Sequence, residues 1–503
     1  MSTSNNSDCY KIKFVDRILD PVHGFIDITQ VEKEIIALPI FKRLQSIKQL
    51  SLTNWVFPGA EHTRYMHSLG VMHIADLMAL NLTDENHQFV FNDSQRQLLR
   101  LAGLLHDIGH YPLSHVTEHV YMDNLLYEDD TLLSHNLRIK KEIDELGKKK
   151  SCNIDYMNSR YSKPLHHEAM GAELIGNNSE IKNIIKKHCS FIDISDIQDI
   201  IVGCVDRNSN ISVMVQLMHS ELDADGIDYI VRDATFSGTS YGTFELGLLL
   251  RNLVVRKYNG ADIVGIRPKG IPIVDQYLIS KYFSYTQVIY NKHVAIYETM
   301  AEIMTKQFIK LDRAPYPKQE ILIKDIKLNE KNDLFLRFTD RFFWSQIDSI
   351  KVEDLKGYVP EYVLSIHRNL SRYQDFETSD DGEIIITSNN REDVFNLLKS
   401  SHIYNNLIKD DKRLVIFHVK GFTSEVNESD FRDRLQKLGN DGKSESSEDL
   451  ENRFLTKNTT RLQEGIPILE EGSNPKLLVD DSRSIMNHLY NTKTYILREY
   501  MIN

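Results

Sequence analysis

The segment LAGLLHDIGHYPLSH, residues 101–115, ends a leucine-rich stretch with a dense group of side chains that bind metals. Four of them fall in its last ten positions: His106, Asp107, His110 and His115. Apolar residues recur at helical spacing from Leu98 to Leu105, which predicts a helix with one face in a core. A lone histidine at a helix end is most simply explained by its interaction with the helix dipole. Four such groups together call for a chemical explanation.

Two further segments supply partners for this group. HTRYMHSLGV, residues 62–71, contains His67, and ELDADGIDYIVRD, residues 221–233, contains Asp225. Imidazole and carboxylate ligands together suit a divalent ion, and a set of four leaves positions open for water and substrate. Adjacent side chains on a helix diverge by about 100°, so both members of the His-Asp pair can reach one ion only near the helix end. The sequence therefore predicts a metal site with these ligands: His67, His106, Asp107 and Asp225.

Composition excludes several other classes of protein. The chain has 503 residues, a formal net charge of −12, 41% hydrophobic and 26% charged residues. The negative charge disfavours a dedicated nucleic-acid binder, which needs a basic surface. None of the four cysteines forms a CxxC pair, which disfavours both a disulfide framework and a cysteine-ligated zinc site. With no apolar leader and no apolar run of membrane-spanning length, we expect a cytoplasmic protein without a membrane partner.

The pattern along the chain predicts a mainly α fold with three parts. Residues 1–30 contain a strand-turn-strand pattern and form an N-terminal hairpin segment. Residues 31–305 carry helical periodicity and form a helical bundle around the histidine motifs. Residues 306–503 include strand-like GEIIITS and KRLVIFHVK among charged helices, which indicates a smaller α+β region with a regulatory or oligomerisation role. The polar stretch 440–452 is typical of a loop.

These motifs, in this order and spacing, resemble the HD-domain deoxynucleoside triphosphate triphosphohydrolases, the family of bacterial dGTPase-like enzymes and the animal SAM-and-HD-domain enzyme. The resemblance begins at DPVHGFIDI and continues through FKRLQSIKQLS, FPGAEHTRYMHSLGV, LAGLLHDIGHYPLSH, HHEAMG and LDADGIDYIVRDATFSGTSYG to about residue 300. It covers more than half of the chain, and no recognisable SAM domain precedes it. The resemblance implies an HD-domain helical bundle that binds one divalent ion per active site, which could be Mn, Fe, Zn or Mg.

The resemblance also implies a mechanism, which is hydrolysis of a dNTP at the α-phosphorus to a deoxynucleoside and tripolyphosphate. By the match, His110 and His115 lie against the α-phosphate, and His167, oriented by Glu118, protonates the departing 5′-oxygen. In HHEAMG either His166 or His167 could hold that role, and the position of the next glutamate favours His167. Residues matched to the nucleotide site are Gln49, Arg64, Tyr229, Asp233 and, through the looser match of HVAIY, His293 and Tyr297.

Two departures from the family concern the triphosphate. Gly226 follows the metal aspartate where the family has Lys or Arg, and the later arginine of the family falls near Ile289. These departures favour one alternative, another HD-type nucleotide phosphohydrolase such as a monophosphatase or a phosphodiesterase. A catalytically weak nucleotide-sensing subunit is a further alternative, against which the complete set of metal ligands argues.

A third departure concerns assembly and control. The family forms homo-oligomers, often tetramers, that bind nucleotides between subunits. The positions matched to the guanine-reading site hold Ala37, Lys42 and Gln45. We therefore expect a homotetramer whose activator is a dNTP other than a guanine nucleotide, or which needs none.

Overall fold

Helical periodicity predicts a mainly α protein, and the computed structural model confirms it. The structure describes residues 10–122, 131–147, 166–203, 211–311, 316–328, 332–408, 412–424 and 457–502. The side chains of residues 378–381 are outside this description, and so is the predicted loop at 440–452. No helix within the described ranges combines the length and the apolar character needed to cross a bilayer.

The described chain begins with an antiparallel hairpin of β1 (Phe14–Asp20) and β2 (Gly24–Thr29), as the alternating pattern predicts. The helices that follow are Gln30–Ala37, Pro39–Lys42, Arg64–Asn81, Asp93–Leu105, His115–Met122, Leu132–Leu146, His167–Asn177, Ser179–His188, Ile194–Val202, Ser212–His219, Ala224–Ser237 and Leu246–Arg251. They pack as a bundle in which Arg64–Asn81 lies against both Asp93–Leu105 and Ala224–Ser237. These three helices come from distant parts of the sequence and bring its three histidine and aspartate motifs together.

The central helix, Asp93–Leu105, is buried on more than the one face that the periodicity predicts. Its Arg100 is fully buried and donates to Glu32 at 2.7 Å and to Asp76 at 2.8 Å. A buried cation is tolerated when its charge and its donors are matched in this way. The network holds the helix against Gln30–Ala37 and Arg64–Asn81, which places its C-terminal end deep inside the bundle.

The second half of the chain adds two sheets to the bundle. One has the strand order β3 (Leu253–Tyr258), β4 (Ala261–Ile266), β7 (Pro467–Ile468) and β8 (Lys476–Leu477). The other has the order β5 (Thr378–Ser388), β9 (Lys493–Met501) and β6 (Arg413–Gly421), with antiparallel pairing throughout. The helices of this half are Ile271–Phe283, Lys292–Lys310, Gln319–Leu328, Asp333–Arg337, Asp340–Ser349, Val352–Leu355, Glu361–Ser371, Arg391–Ser400, His402–Asn406 and Met486–Leu489, with a π-helical segment at Ser284–Ile289.

The two halves share one hydrophobic core. That core extends from Ile26 to Ile502, and β7 pairs with β4 through Ile468 and Ile266. The predicted division after residue 305 falls within the helix Lys292–Lys310. The three-part division stays a prediction, and the shared core means that residues late in the chain help to position the site.

Candidate functional site

His67 lies on the first turn of Arg64–Asn81 and is held by a buried aspartate. Its Nδ1 donates to Asp228 Oδ2 at 2.7 Å, because a carboxylate can only accept. The Nε2 atom then keeps its lone pair, and it is buried without a well-directed hydrogen bond. A carboxylate behind a histidine in this way fixes its tautomer and raises its basicity as a metal ligand.

Asp228 ties three parts of the fold to this ligand. It accepts from His23 Nε2 at 2.5 Å and from Arg232 Nε at 2.8 Å, and Arg232 also donates to Asp20 at 2.9 Å. A Cβ atom on Gly70 would lie 1.9 Å from Asp228 Oδ1, so only glycine allows this close approach. These contacts hold the hairpin and two helices of the bundle together around the buried carboxylate of Asp228.

His106 and Asp107 directly follow the last residue of Asp93–Leu105, where the predicted geometry requires them. His106 Nδ1 donates to the Gly103 carbonyl at 2.8 Å, and its Nε2 is buried without a partner. The ligand atoms of His67, His106 and Asp107 all lie within 4.8 Å of one another. Orphaned imidazole nitrogens beside a carboxylate suit a divalent ion, so these residues fit a metal.

Asp225, the fourth predicted ligand, lies at the edge of this group. Its Oδ1 is 2.8 Å from His67 Nε2 and 3.7 Å from His106 Nε2. Its side chain is 39% exposed, unlike the other three. The aspartate therefore lies on the open side of the centre, where solvent and substrate can enter.

Arg64 stabilises the ionised form of Asp107. It donates to Asp107 Oδ2 at 2.9 Å and to Ser114 Oγ at 2.9 Å. Burial raises the pKa of Asp107, but Arg64 and the neighbouring histidines outweigh burial and hold that pKa below its ordinary value. Ser114 and Leu113 both have positive φ, 52° and 55°. Such strained backbone persists only where surrounding contacts support it.

A second group of histidines lies beside the predicted metal ligands. The rings of His110 and His167 are stacked with centroids 4.0 Å apart, and Glu118 accepts from His167 Nδ1 at 2.8 Å. Glu118 also accepts from His115 Nδ1 at 2.7 Å. His166 Nε2 lies 4.0 Å from Glu118, so the structure favours His167 over His166 as its partner.

The two stacked histidines differ in charge. Burial lowers the pKa of His167, but the charge of Glu118 and its hydrogen bond outweigh burial and raise that pKa to about 9. Burial, with Arg64 and His167, lowers the pKa of His110 well below its ordinary value. These opposite shifts favour a protonated His167 beside a neutral His110, whose ring nitrogens make no hydrogen bond although Nε2 lies 3.4 Å from Asp107 Oδ1.

The residues predicted to contact the nucleotide fall into two groups. Gln49 and Asp233 are both buried and both contact His62. The backbone N–H of Gln49 donates to the His62 carbonyl at 3.0 Å, and Asp233 accepts from His62 Nε2 at 2.8 Å. Tyr229 is on the same helix as Asp225 and Asp233, and burial raises its pKa well above the ordinary value.

His293 and Tyr297 lie elsewhere in the described contacts. His293 pairs with Asp375, and the Tyr297 hydroxyl donates to the Tyr373 carbonyl at 3.5 Å beside the ring of Trp55. No described contact joins either residue to the histidine groups, so their role in the site stays a prediction.

Several supporting residues carry no local sequence signal. Arg43 donates to the carbonyl of Ile108 at 3.2 Å and to that of His110. These two bonds support the loop after His106. Asp340 accepts from the backbone of Leu113 at 2.7 Å and of Lys48 at 2.9 Å. The sequence signal for the role of Asp228 is Gly70, because a glycine inside a helix often marks the close approach of another group.

The contacts of Asp228 predict that Asp228→Asn weakens metal binding about tenfold to a hundredfold, because the amide cannot accept from three donors or fix the His67 tautomer. Calorimetric titration of the metal-free protein with Mn²⁺ measures the change. Asp233→Asn is the matched control on the same helix, since Asp233 accepts from His62 and not from a predicted ligand. Unchanged Mn²⁺ affinity in a folded Asp228→Asn protein would contradict this role.

Comparison with known proteins agrees with this geometry. Residues 64–211 match the HD domain family. The chain is 30% identical over 273 residues to the uncharacterized protein YwfO of Bacillus subtilis, which covers 54% of this chain and 51% of that protein. It is 27% identical over 293 residues to the deoxynucleoside triphosphate triphosphohydrolase of Danio rerio, covering 58% of this chain and 44% of that enzyme. The match therefore spans about half the length of these relatives.

Solved structures share the fold over nearly the whole chain. A hypothetical protein from Aquifex aeolicus superposes with a TM-score of 0.61 at 22% identity, covering 97% of this chain and 96% of that one. A phosphohydrolase from Bacteroides thetaiotaomicron gives 0.59 at 19% identity, covering 97% and 99%. Residues 64–211 of the chain thus match the HD domain, and the chain is similar to deoxynucleoside triphosphate triphosphohydrolases of other organisms.

Proposed function

We propose that the protein is a metal-dependent dNTP triphosphohydrolase, which cleaves dNTP at the α-phosphorus to a deoxynucleoside and tripolyphosphate. The observation that carries the proposal is the hydrogen bond of His167 to Glu118 and its stacking on His110, beside the cluster of His67, His106 and Asp107. Similarity to triphosphohydrolases supports the choice of substrate, including 43% identity over 97 residues to the enzyme of Gallus gallus.

His67, His106, Asp107 and Asp225 would hold the ion. A bound divalent ion at such a site polarises phosphoryl oxygens and lowers the pKa of water. Arg64 keeps Asp107 ionised, and the bonds to Asp228 and to the Gly103 carbonyl orient the two imidazoles. The chain itself therefore supplies a preorganised set of ligands.

His167 acts as the general acid in this proposal. Glu118 keeps its imidazole protonated, so a proton is available for the 5′-oxygen that leaves the α-phosphorus. Neutral His110 has a free ring N–H to donate to a phosphoryl oxygen, and His115, whose side chain is 53% exposed, can do the same at the solvent side. Gln49, Arg64, Tyr229 and Asp233 form the walls around the nucleotide.

One observation favours the alternative, another HD-type nucleotide phosphohydrolase. Gly226 offers no cation for a triphosphate directly after Asp225. A monophosphatase or a phosphodiesterase has less need of one, since its substrate carries fewer charges.

Product analysis separates the two functions. Purified protein is incubated with each dNTP, singly and mixed, in Mn²⁺, Mg²⁺ or Fe²⁺, and the products are separated by ion-exchange chromatography. We expect tripolyphosphate and deoxynucleoside. His106→Ala should lose both bound metal and turnover because it removes a buried ligand. Orthophosphate release from a dNMP, or a nucleoside monophosphate from a phosphodiester, with no tripolyphosphate from any dNTP, would favour the alternative. Tight dNTP binding without turnover would indicate a sensing subunit.

The acid role predicts a defined pH dependence. His167 must be protonated, so kcat/KM should fall as the pH rises through about 9. Glu118→Gln removes the charge that raises this pKa, so the alkaline limb should move to lower pH by about 1 to 3 units. Glu173→Gln, at an exposed position on the helix that begins with His167, is the control. If Glu118→Gln keeps the wild-type alkaline limb, another group is the acid.

The proposal extends to assembly as a cytoplasmic homotetramer. Leu19 and Phe25 face each other across the hairpin and are 68% and 60% exposed. Exposed apolar pairs of this kind are typical of interfaces. Ala37, Lys42 and Gln45 are exposed as well, and Lys42 could meet the phosphate of an activating dNTP.

Mass measurement with and without each nucleotide tests the assembly. We expect a tetramer that Leu19→Asp weakens and Leu80→Asp, at another exposed leucine, does not. Stimulation by a dNTP but not by GTP is expected. A strictly monomeric active enzyme, or a specific GTP requirement, would show the assembly proposal to be wrong.

A further inference from the structure

The structure shows which side chains a residue larger than glycine at position 226 would meet. A Cβ atom there would lie 2.4 Å from the Tyr277 hydroxyl and 2.7 Å from Asp223 Oδ1. Both distances are far below van der Waals contact, so a side chain of any size would displace Tyr277 or Asp223. The space beside Asp225 is thus filled by a tyrosine from the helix Ile271–Phe283.

The same helix supplies a cation one turn later. Lys281 Nζ lies 3.2 Å from Glu221 Oε1, and the lysine side chain is 16% exposed. Glu221 precedes the metal motif and is itself held by the Ser424 hydroxyl. Burial lowers the pKa of Lys281, but Glu221 outweighs burial and holds that pKa well above its ordinary value. Lys281 is therefore a permanent, partly buried cation.

A second cation, Lys420, lies on β6. Its Nζ lies 3.6 Å from the ring centroid of Tyr285, and no hydrogen bond or ion pair to it is found among the described residues. Burial, and then the charge of Lys281, lower the pKa of Lys420 to about 8. Glu221 is ion-paired with Lys281, whereas Lys420 makes no described ion pair and has the ring of Tyr285 as its contact.

Tyr285 links the position of the two lysines to that of the predicted metal ligands. It belongs to the π-helical segment Ser284–Ile289, and such segments are frequent at functional sites. This segment and the helix Ile271–Phe283 both pack against Ala224–Ser237, the helix that carries Asp225. Ser424, just after β6, donates to Glu221, the partner of Lys281. These contacts place the lysines on the side of the centre where Asp225, its most exposed predicted ligand, lies.

We propose that Lys281 and Lys420 form the polyphosphate-binding end of the active site, so that a strand from the C-terminal region completes a site that the HD bundle begins. This inference rests on the proposed function, in which the α-phosphate lies at the metal centre and two further phosphates extend from it. Lysine binds phosphate as a point charge, and a partly buried lysine without a carboxylate partner gains most from doing so. The position near Ile289, where the family has an arginine, ends the same π-helical segment.

Lys420→Met tests this assignment because it removes the charge and keeps the aliphatic stem that packs on Tyr285. The probe is inorganic tripolyphosphate, titrated calorimetrically into the 503-residue chain at one fixed Mn²⁺ concentration. We expect affinity to fall about tenfold to a hundredfold, Lys420→Arg to retain most of it, and the exposed Lys399→Met to change nothing. Thermal unfolding of each variant verifies that it is folded. Lys281→Met is the second variant, with the same expected loss.

The outcomes distinguish this inference from the proposed function. A folded Lys420→Met protein that binds tripolyphosphate as tightly as the wild type overturns the inference, whatever the enzyme releases. Orthophosphate as the only product of the wild type contradicts the proposed function. A selective loss in Lys420→Met and Lys281→Met, with Lys399→Met unchanged, supports the lysine pair.

Discussion

The buried carboxylate of Asp228 is the interaction on which the rest of the site depends. It takes hydrogen bonds from His67, from His23 on the hairpin turn and from Arg232, and it lies where Gly70 leaves room for it. A buried carboxylate is costly unless every lone pair is used, so its three donors are constrained together. The tautomer of His67, the docking of the hairpin and the packing of Arg64–Asn81 on Ala224–Ser237 all follow from that constraint.

The position of Glu118 decides which histidines of the site have a hydrogen-bonded carboxylate partner. Glu118 bonds to His167 and His115 but not to His110, although the rings of His110 and His167 are in stacking contact. Of the two stacked, buried imidazoles, the one that hydrogen-bonds to a carboxylate is the one whose pKa is raised. The proposed role of His167 as a general acid depends on this difference.

The C-terminal half participates in the site through the backbone as well as through Lys420. Asp340 accepts from the amides of Leu113 and Lys48, and Arg43 joins the Phe338 carbonyl at 3.0 Å to the loop after His106. These bonds support the strained turn at Leu113 and Ser114 from which Ser114 meets Arg64. The shared core makes this possible because residues of both halves pack in it.

The sequence by itself determined the helical class, the hairpin and the types of ligand, since apolar periodicity and motif spacing are local properties. It also placed His106 and Asp107 at a helix end, because only there can adjacent side chains serve one ion. It did not reveal the partner of His67, which lies 161 positions away, or the bracing by Arg43 across 67 positions to His110. Protonation states, the filled space at Gly226 and the meeting of Lys281 with Lys420 were decided by tertiary structure alone. Each depends on burial and on charges brought together from distant segments, and no pattern along the chain records those distances.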